Sequence, residues 1–171
     1  MNHPERIFEP SVGNPKTRDI PCTPYSPWDM EVASINFDAM CGHGAIAAAL
    51  EMEVCRVMKY FSVGGWVNVP IMQMALRNAG KTIGTVSRWD RRSGQQPAVT
   101  IIQFLGPWMN AGVPIAARCQ HRHWVASRGD LIWDCNADGW LPRSKWETEI
   151  VLMLMPKRGT GFEPFRTVIW I

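Results

Sequence analysis

The sequence predicts a single α+β domain, and three observations carry that expectation. Apolar residues recur at helical spacing in the first half of the chain. β-rich, strand-like runs fill the second half. The order is helices first and then strands joined by a hairpin, which favours an antiparallel sheet over a parallel one. At 171 residues the chain is long enough to bury a core, and with 46% apolar and 19% charged residues it reads as globular.

The first 30 residues hold Pro4, Pro10, Pro15, Pro21, Pro24 and Pro27. Prolines at this density exclude a helix and predict an extended arm over residues 1–30, ahead of a domain over 31–171. Such an arm needs a surface to lie on, its own domain or a docking partner. The strongest element opens at Cys41, where Ile46, Leu50, Val54, Val57, Met58 and Phe61 form one apolar helical face, ended by Gly64-Gly65. A second helix is expected in `NVPIMQMALRNAG`, capped by Asn68, with Pro70 in its first turn and Gly80 at its end. `KTIGTVSRW` reads as a strand. `QQPAVTIIQFLGPWMNAG` reads as a strand or helix broken at Gly106-Pro107, then a short helix. `VPIAARC`, `EIVLMLMP` and `FRTVIWI` read as strands, and `HWVASRGDLIWDCN` as a hairpin turning at 128–130.

Several function classes are disfavoured. The net charge of +3 is mild and no basic stripe appears, which argues against nucleic acid as a partner. No apolar run approaches a membrane span and the chain opens on a polar segment, so no membrane partner and a cytoplasmic location are expected. The five cysteines, Cys22, Cys41, Cys55, Cys119 and Cys135, are odd in number and lack a CxxC, so a disulfide framework is not expected.

Cys41 is the residue with chemistry. A thiol at a helix N-terminus is favoured as the thiolate by the free N–H groups and the dipole. Gly42 and Gly44 would keep the approach open for a substrate carbonyl. A base is required, and His123 supplies one. A hairpin turn at Arg128-Gly129 sets His123 opposite Asp134, and a turn one residue later sets it opposite Asn136. Both share a strand face and either can orient the imidazole, with Asp134 preferred because a carboxylate also stabilises the imidazolium. The backbone N–H of Cys41 and the Asn36 side chain are the candidate oxyanion donors. A zinc reading from Cys119, His121 and His123, with Cys135 or His43, lacks the usual paired spacing, so neither metal nor cofactor is expected. His43 is expected half-exposed near the cleft. Trp124 and Trp133 are expected in the core, and Trp66 and Trp140 in loops beside a groove.

`CGHGAIAAAL`, `HWVASRG` and `IWDCN` together resemble the papain-like cysteine peptidase superfamily. They are most similar to small bacterial and phage domains related to bacteriocin-processing peptidases. Josephin-type deubiquitinases share the amide residue five before the cysteine, the His-Trp strand and the Asn on the next strand. The resemblance spans roughly residues 33–156. It implies a helical half with the Cys helix packed on a C-terminal antiparallel sheet. It also implies Cys41 as nucleophile, His123 as base, Asp134 or Asn136 as orienter and Asn36 as oxyanion donor, acting on a peptide or protein. The chain departs from the family in having Asn36 where Gln is usual and His43 after Cys-Gly. `MCGHGAIA` is also similar to a proline racemase signature, but the second cysteine motif of those enzymes is lacking. Two other functions fit the same residues: a deamidase or transglutaminase-like enzyme, and a non-catalytic docking subunit of a phage particle or other large assembly.

Overall fold

The structure, a computed structural model, describes residues 24–62, 64–86, 96–137, 139–159 and 161–171. It is a mixed helical and antiparallel α+β domain. Cys22 and most of the proline-rich arm lie outside the described residues, as do residues 87–89 of the expected strand after Gly80. The described end of the arm lies on its own domain. The Ser26 hydroxyl accepts a hydrogen bond from Trp133 Nε1 and the Tyr25 carbonyl one from Trp140 Nε1.

Four helices come first: α1 (Met30–Phe37), α2 (Cys41–Leu50), α3 (Val54–Val57) and α4 (Val69–Asn78). The expected long helix after Cys41 is thus two. Glu51 takes a left-handed conformation (φ 56°), its N–H bonds Ala48 O, and Met52 N–H bonds back to Ala47 O. That is a Schellman closure made without glycine. The chain restarts two residues later because Asp29, arriving from the head of α1, caps α3. Its carboxylate accepts the N–H groups of Val54 (2.8 Å) and Cys55 (2.9 Å). Burial raises the Asp29 pKa, but these backbone bonds from Cys55 and Val54 outweigh it and hold the carboxyl below its ordinary value. Helix α4 starts as expected, with Asn68 Oδ1 accepting Ile71 N–H, and Gly80 follows it at φ 73°.

The sheet has six strands in the order β1-β6-β2-β3-β4-β5, antiparallel throughout. They are β1 (Gly84–Val86), β2 (Pro97–Leu105), β3 (Arg122–Arg128), β4 (Leu131–Trp133), β5 (Trp140–Pro142) and β6 (Gly161–Trp170). The ambiguous segment before Gly106 is the central strand β2, buried on both faces. Val99 and Ile101 face α2–α4, while Ala98, Ile102 and Phe104 face a C-terminal helix. The alternation follows from the two-residue period of a strand.

Two expected strands are helical. `VPIAARC` forms α5 (Ile115–Cys119): Pro114 precedes it with its φ fixed at −56°, and Ala-Ala-Arg are strong helix formers. `EIVLMLMP` belongs to a continuous helix built from α6 (Arg143–Trp146), a π-turn (Glu147–Val151) and α7 (Leu152–Arg158). Its buried residues, Trp146, Ile150, Val151 and Leu154, recur at helical spacing, while Leu152 and Met153 are exposed. No helix among the described residues is long and apolar enough to cross a membrane.

Candidate active site

Helix α2 is almost wholly buried against β2 and β3, so its small residues are what let it approach the sheet. A Cβ on Gly44 would lie 2.6 Å from the Trp133 ring, and one on Gly42 would lie 2.7 Å from Val67 Cβ. These two glycines therefore serve close packing, and the substrate-access role expected of Gly44 is not what its surroundings support. His43 is fully buried, not half-exposed: its Nδ1 accepts the Met40 N–H (3.0 Å) and its ring lies against Phe61. His43 thereby fixes the backbone just ahead of Cys41.

The hairpin explains how a thiol on a helix meets an imidazole on a strand. Arg128 pairs with Leu131 across Gly129-Asp130, and the β3–β4 ladder ends at Ala126↔Trp133. Beyond it, the outward backbone groups of β3 have no strand beside them. Cys41 sits at this gap, where the Trp124 N–H helps to lower its thiol pKa. The observed register is the one that would set Asn136 opposite His123 had the ladder continued. Instead the chain turns after Trp133, with Ala137 N–H bonded to Asp134 O, and this brings the Asp134 carboxylate onto the imidazole.

His123 Nε2 lies 2.9 Å from both Asp134 oxygens. Asp134 Oδ1 also accepts the backbone N–H (2.9 Å) and the side-chain amide (2.8 Å) of Asn136, and Oδ2 accepts Trp146 Nε1 (2.9 Å). Asn136 therefore bonds the Asp134 carboxylate, which is the group on the imidazole. Asp134 is fully buried and His123 nearly so. His123 Nδ1 is buried and makes no hydrogen bond of strict geometry, yet His123 and Cys41 lie close enough to shift each other's titration.

The electrostatics follow from this arrangement. Burial disfavours the imidazolium, but the Asp134 carboxylate and the Cys41 thiolate outweigh it, and the His123 pKa rises to about 10. Burial likewise raises the Cys41 thiol, but the nearby His123 charge and the Trp124 N–H bring it below its ordinary value. Burial would raise Asp134 too, and His123, Trp146 and the Asn136 N–H hold it far below the usual carboxylate range. The site favours a thiolate–imidazolium pair backed by a carboxylate.

A cleft of about 350 Å³ opens at Cys41. Trp66, Val67, Ile101 and Trp124 give it apolar walls. The backbone N–H groups of Cys41 and Gly42, the first two of α2, have no carbonyl four residues back to bond, and both residues line the cleft. Asn36 is not among the lining residues; it lies on α1 and is exposed. Trp66 lines the cleft as expected, whereas Trp140 is in β5 with its indole on Tyr25.

The zinc set read from the sequence is not brought together as one strand face, because Cys119 ends α5 and His121 stacks on Trp108 at 3.5 Å. The donor atoms of His123, Asp134 and Cys135 do lie within 4.8 Å of one another. In that group the imidazole nitrogen and the carboxylate already satisfy each other. Trp146, Gln103 and Arg122 escaped the sequence reading. Only Arg122 carried a local signal, its place beside His123. No protein-family model, curated protein or solved structure matches the chain.

Proposed function

We propose that this chain is a cysteine hydrolase of papain-like type, cleaving a peptide or isopeptide bond through Cys41, His123 and Asp134. The observation that supports it best is the division of labour on one ring. His123 gives Nε2 to a buried carboxylate while the ring also shifts the thiol of Cys41.

In this reading Cys41 Sγ, as thiolate, attacks the scissile carbonyl carbon. The negative oxygen that develops is met by the N–H groups of Cys41 and Gly42. The His123 imidazolium gives its proton to the leaving amine, which departs and leaves a thioester on Cys41. Neutral His123 then takes a proton from water, and the hydroxide attacks the thioester carbonyl. The carboxylic acid is released, and Cys41 returns as thiolate beside the imidazolium. Asp134 keeps the ring oriented and stabilises its charge throughout.

The test is alkylation of the native protein by iodoacetamide across pH, with the modified residue located by mass spectrometry. Cys41 is expected to react with an apparent pKa below the free thiol value of about 8.5, and His123→Ala to remove that advantage. Cys41→Ala is expected to abolish hydrolysis with cooperative unfolding retained. A Cys41 that reacts no faster than Cys55 in the wild-type protein overturns the reading.

A further inference from the structure

The cleft beside Cys41 contains a cation with no counter-ion among the described residues. Arg122 opens β3, next to His123, and lines the cleft. Its Nε donates to Gln103 Oε1 at 3.0 Å. No hydrogen bond or ion pair engages its terminal nitrogens among the described residues, and no Asp or Glu lines the cleft.

Gln103 is what holds this guanidinium. It is fully buried in β2, where the register with β6 shifts between Ile101 and Gln103. Its Nε2 donates to the carbonyls of Phe104 (3.0 Å), Arg118 (3.3 Å) and His121 (3.2 Å). Three acceptors around the NH₂ leave one orientation of the amide, with Oε1 toward Arg122. The same bonds tie down the end of α5 and the turn into β3, the segment that forms one wall of the cleft. A buried glutamine used in this way pre-orients a charged group without neutralising it.

We infer that Arg122 is a carboxylate-recognition residue, and that the cleft takes an acyl substrate carrying a carboxylate together with a bulky apolar group. The carboxylate pairs with the free face of the guanidinium, where bidentate geometry is available. The apolar group lies against Trp66, Ile101 and Trp124. The carboxylate has two sources in a peptide, an acidic side chain or the free C-terminus. As a choice of substrate, this inference rests on the hydrolase reading above.

Two measurements on the full chain test it. The first compares alkylation of Cys41 by iodoacetate and by iodoacetamide at one pH and low salt. The anionic reagent is expected to gain about fivefold relative to the neutral one from Arg122, and that gain to vanish in Arg122→Gln and fade as salt is added. An unchanged ratio in Arg122→Gln overturns the inference. The second is equilibrium binding to Cys41→Ala, which needs no chemistry. Three phenylalanine-containing peptides are compared: one with an acidic side chain and an amidated C-terminus, one with a free C-terminus and no acidic side chain, and one neutral. One charged peptide is expected to bind at least about fivefold tighter than the neutral peptide, only while Arg122 is present, and which one identifies the source. Equal binding of all three overturns the inference. A Cys41 inert to both reagents defeats the hydrolase reading instead, and the binding comparison still decides the role of Arg122.

Discussion

Replacing Asp134 with asparagine removes one charge at nearly constant volume, and its consequences can be worked out bond by bond. The carboxylate accepts from His123 Nε2, from the Asn136 N–H and amide, and from Trp146 Nε1. An amide in its place keeps one oxygen. If that oxygen stays with Asn136, the new NH₂ confronts the indole N–H of Trp146, a donor facing a donor at a fully buried residue. Losing that acceptor costs about 1–3 kcal/mol, and turning the remaining charge-assisted bonds into neutral ones adds to it, for roughly 3 kcal/mol in total. With a urea slope of about 2 kcal/mol per molar, the midpoint should fall by about 1.5 M. The second effect is on the thiol. Without the carboxylate, burial returns His123 to the neutral form, and Cys41 loses the cation that lowers its pKa. The Cys41 pKa then rises, and the thiolate fraction at pH 6 falls with it. Iodoacetamide labelling at pH 6, beside a urea titration, reads both. An Asp134→Asn protein with the wild-type midpoint and undiminished Cys41 labelling would refute the chain of reasoning from carboxylate to ring to thiol.

Four further outcomes are expected. Hydrolysis should rise with pH as Cys41 ionises below its ordinary thiol value, and fall as His123 loses its proton near pH 10, since the leaving amine then lacks its acid; a stopped-flow pH profile with no alkaline limb up to pH 11 would contradict this. The stability profile has its own signs. The contribution of His123, whose folded pKa is raised, is full below about pH 6.5 and is lost as pH climbs through about 10. That of Asp134, whose folded pKa is depressed, is present above the ordinary carboxylate value and lost on acidification, and urea titrations at several pH values would show both limbs. Gly44→Ala places a methyl group 2.6 Å from the buried Trp133 ring and should cost about 1–3 kcal/mol by urea unfolding, whereas a neutral result would mean that α2 can back away from the sheet. Asp29→Ala strips the cap from α3 and should lower stability by about 2 kcal/mol, checked by thermal unfolding, with the Cys41 labelling rate unchanged.

The parts of the fold readable from the sequence were those with a strong local cause. Asn68, Pro70 and Gly80 marked α4 because caps act within four residues. The β3–β4 hairpin was readable because Gly129 takes the positive φ its turn requires. The misreadings share the opposite cause. α5 is five residues long and the C-terminal helix carries β-branched Ile150-Val151 in its middle, so composition outweighed the helical period. The break of the Cys41 helix at Glu51 had no glycine to announce it. It depends on Asp29, whose carboxylate arrives from 25 residues away to restart the chain at Val54.

The site divides in the same way. Cys41 and His123 were recognisable because a thiol at a helix start and a histidine at a strand start each have a chemical rationale on their own. The choice between Asp134 and Asn136 was not settled by strand register, and only the chemistry of a carboxylate, which also stabilises an imidazolium, favoured Asp134. Register alone would have chosen Asn136, since the observed ladder extrapolates to it. The ladder stops at Trp133, and just beyond it Trp146, on the C-terminal helix, donates its indole N–H to the buried Asp134 carboxylate. Once the carboxylate is held there, the Asn136 N–H and amide close on it from the turn, and His123 completes its shell. The carboxylate that meets His123 is thus also the acceptor for a tryptophan on another element. The charge state of Cys41 therefore depends on the packing of a helix on the far face of the sheet, a dependence that shortening Trp146 would expose as a rise in the Cys41 pKa.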